Sequence, residues 1–500
     1  LLSKQYKIFF FTLSALLFGL TSKGQITFNN YYNAGSGNVS FAIQIEVFNE
    51  DTTYLVYSPW QNQASQQGLR LLKLNKNGGT LIDNKFMFGN LVFSTFLNNR
   101  ISIKTSTYSS LVMAPTYFGS NFGMIFCKIN NKLADTINTK YYCDYTYNYG
   151  LSNRFLKNKN QVWYFGNKFK NDNIYVPRPV IFKVDTNGNY IGQTDITSLL
   201  SHTPRALFYD SLLKRIYLAG TNNTIPQTPV CFVACVDTLG NVIWNKQIGG
   251  TADISTIQYI EKVNNELIIC GAYNANGNYT FPEHKLELIK INATNGNTIW
   301  QKLYGQMNEI NNLRSLVVNN DGSIVSSGTY AGYHQPYDGV ILKVNSQGDS
   351  LWMNRYSNYQ GNVVETFYDI KKAPDGGYIL CGSPDYLNGC QSWVVKTDSL
   401  GIAPGINTAI NEMEFTNKEL NIYPNPANNI LNIILPENQM ENEFTLEIFN
   451  GIGQLVKENV IVLQNKTIVI NTSNLANGIY LLNLKGNKSQ TSSKRFVIAR

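Results

Sequence analysis

Histidine is nearly missing from this chain, and so is concentrated charge. His202, His284 and His334 are the only three in 500 residues, and none sits in an HExxH or other metal-binding spacing. No Gly-x-Ser-x-Gly nucleophile turn occurs, which removes the common hydrolase framework. The glycine-rich stretches fall in hairpin turns outside any strand-to-helix unit, so they are not phosphate loops. Charged residues make up only 15%, and no run of Lys or Arg is present to hold nucleic acid. After the N-terminus no apolar run is long enough to span a bilayer as a helix. No metal, cofactor or catalytic residue is therefore expected, although sites can also be assembled from scattered residues.

The cysteines are few and odd in number: Cys127, Cys143, Cys231, Cys235, Cys270, Cys381 and Cys390. Cys270 and Cys381 occupy one repeat position and read as small buried hydrophobes. Cys231 and Cys235 face one side of a predicted strand without the two further ligands a zinc site needs. Cys381 and Cys390 flank one loop and are close enough in sequence to bridge.

What the chain has in abundance is repetition. An apolar run, usually a lysine, an apolar residue, then Asn or Asp and a turn recur at Lys73, Lys128, Lys183, Cys235, Lys290, Lys343 and Lys396. The steps are 55, 55, 52, 55, 53 and 53 residues. A fixed period near fifty marks one supersecondary unit used many times. Each unit holds short runs rich in Val, Ile, Leu, Tyr and Phe, closed by Gly, Asn, Asp or Pro, which reads as strands in hairpins. Four strands per unit match a propeller blade in size. The seventh unit lacks the Trp-containing fourth strand seen around Trp244, Trp300 and Trp352. Residues 25–35 supply an orphan strand, with Phe28 and Tyr31 where Trp300 and Tyr304 would fall. The N-terminal strand is thus expected to complete the last blade and close the ring, protecting both open edges.

The ends carry different signals. Lys4 and Lys7, the apolar stretch Ile8–Leu20 and the small residues Ser22 and Gly24 read as a signal peptide over 1–24, with a membrane anchor as the alternative. Losing Lys4, Lys7 and Lys23 lowers the formal charge from +8 to +5. Composition shifts near Ile402, where Gly, Pro, Thr and Asn suggest a linker. Beyond it come about seven short strands, enough for a small β-sandwich.

The blocks YPNPA at Tyr423–Ala427, IFNGIGQLV at Ile448–Val456, LANGIYLLNL at Leu475–Leu484 and KRFVI at Lys494–Ile498 stand in order in that tail. It resembles the C-terminal type A sorting domain of cargo for the type IX secretion system of Bacteroidota. Tyr423, Pro424, Asn425, Pro426, Gly453, Gly478, Tyr480, Lys494 and Arg495 carry the match. The second block writes Asn450 where the family has Asp, which keeps the turn chemistry. The resemblance implies a partner in the type IX machinery, passage through the periplasm, and release or attachment at the outer surface. The runs PDGGYILCGS and SWVVKTDSLG also look similar to secreted propeller repeats placed before such domains.

Two tempting motifs have ordinary readings. The lysines repeated at one blade position serve blade packing or edge solubility. The turns at Asp185, Asp237, Asn292 and Asn345 offer oxygens for calcium, but hairpins need the same residues for backbone geometry. The variable loops between second and third strands, which in a propeller gather on one face, read either as ordinary surface loops with semi-buried tyrosines or as a binding face. They hold Trp60, Tyr175, Tyr273, Tyr279, His284, Tyr333, His334 and Tyr337, rigid aromatics beside amides suited to sugar or peptide. The resulting expectation is an all-β chain. It comprises a signal peptide (1–24), a seven-bladed β-propeller (25–405), a linker (406–418) and a β-sandwich sorting domain (419–500). The expected function is a secreted or cell-surface, monomeric binding or adhesion protein for a glycan, peptide or matrix ligand. A secreted polysaccharide- or peptide-degrading enzyme on the same scaffold is the alternative, and a passive surface protein a third.

Overall fold

The computed structural model describes residues 25–48, 51–88, 101–118, 121–170, 173–200, 202–222, 230–249, 254–274, 284–308, 311–331, 337–357, 364–384, 391–404, 406–407, 421–434, 443–450, 455–462, 467–486 and 491–500. The expected signal peptide lies outside them. The described residues are all-β apart from one short 3-10 turn, Thr197–Leu199. The chain divides into two compact units, Leu1–Asn407 and Thr408–Arg500.

The first unit contains seven small antiparallel sheets, here numbered I to VII by the order of the repeat anchors. Sheet IV shows the plan: His202–Asp210, Arg215–Asn222, Val230–Asp237 and Val242–Ile248 follow one another as a meander. The anchor lies on the third strand. Sheet VII is built differently. Thr366–Lys372, Tyr378–Ser383 and Ser392–Thr397 are joined by the N-terminal Phe28–Tyr32, which pairs antiparallel with Ser392–Thr397. The expected strand from the chain's beginning is therefore found. Ile406–Asn407, expected in the linker, adds a short fifth strand to sheet VI by pairing with Arg355 and Tyr356.

Seven apolar clusters lie between sheets, and each draws on two consecutive ones. Tyr217, Val233 and Cys235 of sheet IV meet Ile257, Ile269 and Ile289 of sheet V. Tyr356 of sheet VI meets Phe367 and Trp393 of sheet VII. Phe28 and Val394 of sheet VII meet Tyr54 and Leu72 of sheet I. The remaining clusters link I with II, II with III, III with IV and V with VI.

One contact repeats between sheets. The hairpin after each anchor needs a left-handed residue; glycine supplies it without a Cβ penalty after six of the seven anchors, and Ala134 at φ +46° after Lys128. Gly296, Gly348, Gly401 and Gly78 have φ of +76°, +82°, +72° and +82°. Against them lie Trp244, Trp300, Trp352 and Phe28 of the preceding sheet, at 2.7, 3.2, 2.5 and 2.9 Å from where a Cβ would stand. Four residues along the same strands, Tyr304 and Tyr32 each donate a 2.7 Å hydrogen bond to the carbonyls of Gly348 and Gly78. Tyr356 donates likewise to Gly401. The N-terminal partner of Phe28 is thus Tyr32, one residue beyond the expected Tyr31. Side chains alternate along a strand, so positions four apart share a face. Tyr31 faces the other way and stacks on Trp393 with centroids 5.7 Å apart.

The turn carboxylates are occupied by their own backbone. Asp185 accepts from the amides of Asn187 and Asn189, and Asp237 from those of Leu239 and Asn241. Burial pushes both upward, but these hydrogen bonds outweigh it and hold them below the ordinary carboxylate range. The repeated lysines are also engaged: Lys396 pairs with Asp375 at 2.9 Å and Lys290 with Glu266 at 2.8 Å.

In the second unit, Asn421–Tyr423, Ile430–Ile434 and Thr467–Asn471 form one sheet. Glu443–Asn450, Leu455–Val462, Gly478–Gly486 and Thr491–Ile498 form another. Leu431, Ile433 and Ile470 from the first and Leu446, Leu482 and Phe496 from the second share one core. Alternating apolar positions on strands such as ILNII produce that single buried face.

Candidate functional site

The tail motifs, far apart in sequence, meet in space. Asn425 accepts a 2.9 Å hydrogen bond at Oδ1 from the amide of Val497. Ala427 is fully buried, donates its amide to the Val497 carbonyl at 2.7 Å, and accepts from Ala499 at 3.1 Å. The first block is therefore clamped along the last. Tyr480 of the third block stacks on Phe496 with centroids 5.5 Å apart and donates to the Ala476 carbonyl. Tyr423, Pro424, Pro426, Gly478 and Arg495 stay exposed and Lys494 is half-buried. Gly453 lies outside the described residues.

In the first unit, Trp60 is not in a loop. It is a strand residue of Thr53–Gln61, paired with Gly68 and Ser40. The reason is local: Asn62 closes the turn by accepting from the Gln66 amide at 2.9 Å, so pairing runs on to Gln61 and Gln67. Its indole N–H is buried and has no hydrogen-bond partner. Tyr175, Tyr273 and His284 are likewise strand residues, in Asn173–Asp185, Glu266–Asn274 and His284–Asn292. Backbone pairing does not require apolar side chains, so these hairpins extend past the apolar runs. Tyr337 is half-buried, and its carbonyl accepts from the Glu365 amide at 2.9 Å. Tyr279, Tyr333 and His334 lie outside the described residues, as does Cys390. His202 is a core residue, edge-on to Phe232 at 4.6 Å, and burial lowers its pKa.

A second constellation was not anticipated. The first strands of sheets IV, V, VI and VII each carry a β-bulge, whose extra residue has no opposite partner. These residues are Arg205, Gln258, Arg314 and Tyr368. Opposite each bulge stands a glycine: Gly220, Gly271, Gly328 or Gly382. A Cβ there would lie 2.1, 1.8, 1.9 or 1.9 Å from the carbonyl oxygen of Thr203, Thr256, Asn312 or Thr366. No side chain fits that gap. The glycine recurring after Cys270 and Cys381 was the sequence signal for the bulge, but its meaning needed the pairing.

Two of the bulged side chains, Arg314 and Tyr368, approach one another. The Arg314 guanidinium carbon lies 5.2 Å from the centre of the Tyr368 ring. Burial depresses its pKa most; Tyr368 works against that, and the charge of Arg205 adds a smaller depression. Nε and Nη1 of Arg314 are buried without a hydrogen-bond partner. By contrast, buried Arg70 is held bidentately by Asp83 at 2.8 and 3.0 Å and by the carbonyls of Tyr32 and Asn33.

A cavity of about 250 Å³ opens among the hairpins of sheets I and II, lined by Phe48, Asp51, Lys73, Thr107, Tyr108, Asn131 and Lys132. Among the described residues no group of three or more His, Cys, Asp or Glu could hold a metal, and no helix is long and apolar enough to cross a membrane.

Residues 421–499 match the secretion system C-terminal sorting domain family. The chain is a cargo of the type IX secretion system. Its sorting domain directs it to the cell surface or beyond and implies interaction with the type IX machinery. No curated protein matches the chain. Among solved structures, a protein of unknown function from Dyadobacter fermentans DSM 18053 is 8% identical, with 74% of this chain and 97% of that one covered and a TM-score of 0.42. Sqt1 from Chaetomium thermophilum is 8% identical, with 76% and 88% covered and a TM-score of 0.41.

Proposed function

We propose that this cargo is a non-enzymatic, monomeric binding protein led out by a signal peptide over residues 1–24. Its seven sheets are the blades of a closed β-propeller, sealed by Phe28–Tyr32. The supporting observation is the cyclic order of the seven apolar clusters, with the last returning from sheet VII to sheet I. Stacking identical units buries a face that no unit buries alone, and closure removes the two terminal faces. The ligand is a glycan, peptide or matrix component. It engages the end of the sheets where second and third strands meet, around Trp60, Tyr273, His284 and Tyr337.

Glycan and peptide arrays probed with the mature chain test the binding reading. Trp60→Ala and Tyr273→Ala should each weaken a hit, and unchanged binding removes this face. Deleting residues 419–500 should trap the protein inside the envelope. Surface delivery of the shortened chain would overturn the export assignment.

A further inference from the structure

We propose that Arg314, with Arg205 and Tyr368 beside it, forms a binding site for an oxyanion: the carboxylate or sulfate of an acidic sugar, or the free ion. This deepens the binding-protein reading by naming a ligand chemistry, although the site itself stands without any array hit.

The physical argument begins with what Arg314 lacks. A guanidinium has five N–H donors and no acceptor, and it stays charged in proteins. Buried charges are normally paired, because removing an ion from water costs several kcal/mol unless an opposite charge and hydrogen bonds compensate. Among the described residues, the two buried arginines of the first unit each have an acid: Arg70 has Asp83 at 2.8 Å, and Arg355 has Asp338 at 2.8 Å. Arg314 has two buried N–H groups without acceptors, and its charged neighbour is a second cation, Arg205. The Tyr368 ring offers only a cation–π contact, weaker than a hydrogen-bonded charge pair.

The placement is built rather than incidental. Arg205, Gln258, Arg314 and Tyr368 are the extra residues of bulges at one register position in four consecutive sheets. Bulges re-aim a side chain that the regular ladder would otherwise direct. Arg205 and Arg314 stand on sheets IV and VI, yet their charges interact across the intervening sheet V. Two cations from alternate sheets thus influence one another, and the Tyr368 ring lies 5.2 Å from the Arg314 guanidinium. A planar, delocalised guanidinium suits oxyanions geometrically, and an anion there would relieve the repulsion between the arginines.

The test uses the full mature chain and thermal unfolding at constant ionic strength in chloride, acetate, sulfate and glucuronate. Sulfate also stabilises proteins by exclusion from their surface, so the readout is the difference between wild type and Arg314→Gln. Wild type should show a saturable rise in Tm with oxyanion, and Arg314→Gln should lose it. Losing a charged hydrogen-bond pair corresponds to an affinity drop of about tenfold or more. Arg314→Gln should be no less stable than wild type in chloride, since it removes a guanidinium whose buried Nε and Nη1 lack acceptors; a purely structural arginine would show the opposite. Arg205→Gln, on an exposed side chain, gives a second variant and should weaken the response by about threefold through lost Coulomb attraction. Glucuronate acting at lower concentration than acetate would identify an acidic sugar, and equal potency the free ion. Equal Tm in all four salts, or an undiminished response in both variants, would overturn the site. A failed array with an intact oxyanion response would instead count only against the wider ligand reading.

Discussion

Replacing Phe28 or Tyr32 tests whether the ring is closed. Phe28 is 6% exposed and sits in the cluster shared by sheets VII and I. Its deletion to alanine leaves an aromatic-sized cavity, worth about 3–5 kcal/mol. Tyr32→Phe leaves the Gly78 carbonyl without its buried donor, worth about 1–3 kcal/mol. Tyr304→Phe breaks the same 2.7 Å contact inside the chain, to Gly348. If the N-terminal strand is an equal member of the ring, Tyr32→Phe and Tyr304→Phe should cost the same within about 1 kcal/mol, both being one buried hydrogen bond. In an open array the terminal strand frays first and Tyr32→Phe would cost almost nothing. All six tryptophans precede residue 408, so their fluorescence reports unfolding of the first unit alone. At ordinary unfolding entropies per residue, Phe28→Ala should lower Tm by roughly 4–6 °C. A Tm within about 1 °C of wild type for Phe28→Ala, well below that expected shift, would refute the closure argument.

Three further outcomes are expected. Gly271→Ala would place a Cβ 1.8 Å from the Thr256 oxygen, so it should destabilise sheet V by more than the about 1 kcal/mol of an ordinary backbone substitution, as urea titration would show. Asp83→Asn should cost about 2–3 kcal/mol by loosening Arg70. Burial raises the Asp83 pKa, but Arg70 and Lys85 outweigh it and hold the folded value below ordinary. Its contribution is therefore complete above the unfolded carboxylate range and lost as pH falls through the folded value. Titration from pH 7 to pH 3, run over the usual carboxylate range, should weaken wild type more than Asp83→Asn. Burial pushes the thiols of Cys127 and Cys235 up to about 11 and that of Cys231 up to about 12, while Cys143 is half-exposed. A neutral-pH thiol reagent with peptide mapping should mark Cys143 in the native chain and the other three only after unfolding; native labelling of Cys235 would contradict its burial.

The candidate face was legible only in outline. Aromatic and amide residues were read as loops between second and third strands, but Trp60, Tyr175, Tyr273 and His284 proved to be strand residues. Composition shows where apolar pattern stops, whereas a hairpin ends where its turn closes, as Asn62 and Gln66 show. The orphan N-terminal strand was readable, yet its register was off by one residue, because only pairing distinguishes Tyr31 from Tyr32.

Residue order alone determined the seven repeats, their four-stranded plan, the strand borrowed from the chain's beginning and the sorting tail. These depend on local alternation, turn chemistry and ordered motif blocks, which a linear text preserves. Tertiary structure decided the clamp of Asn425 and Ala427 onto the last strand, and the meeting of Arg314 with Tyr368. Those groups lie a repeat or more apart along the chain. Only the lateral stacking of sheets, and a bulge forced by a glycine that admits no Cβ, brings them within reach of one another.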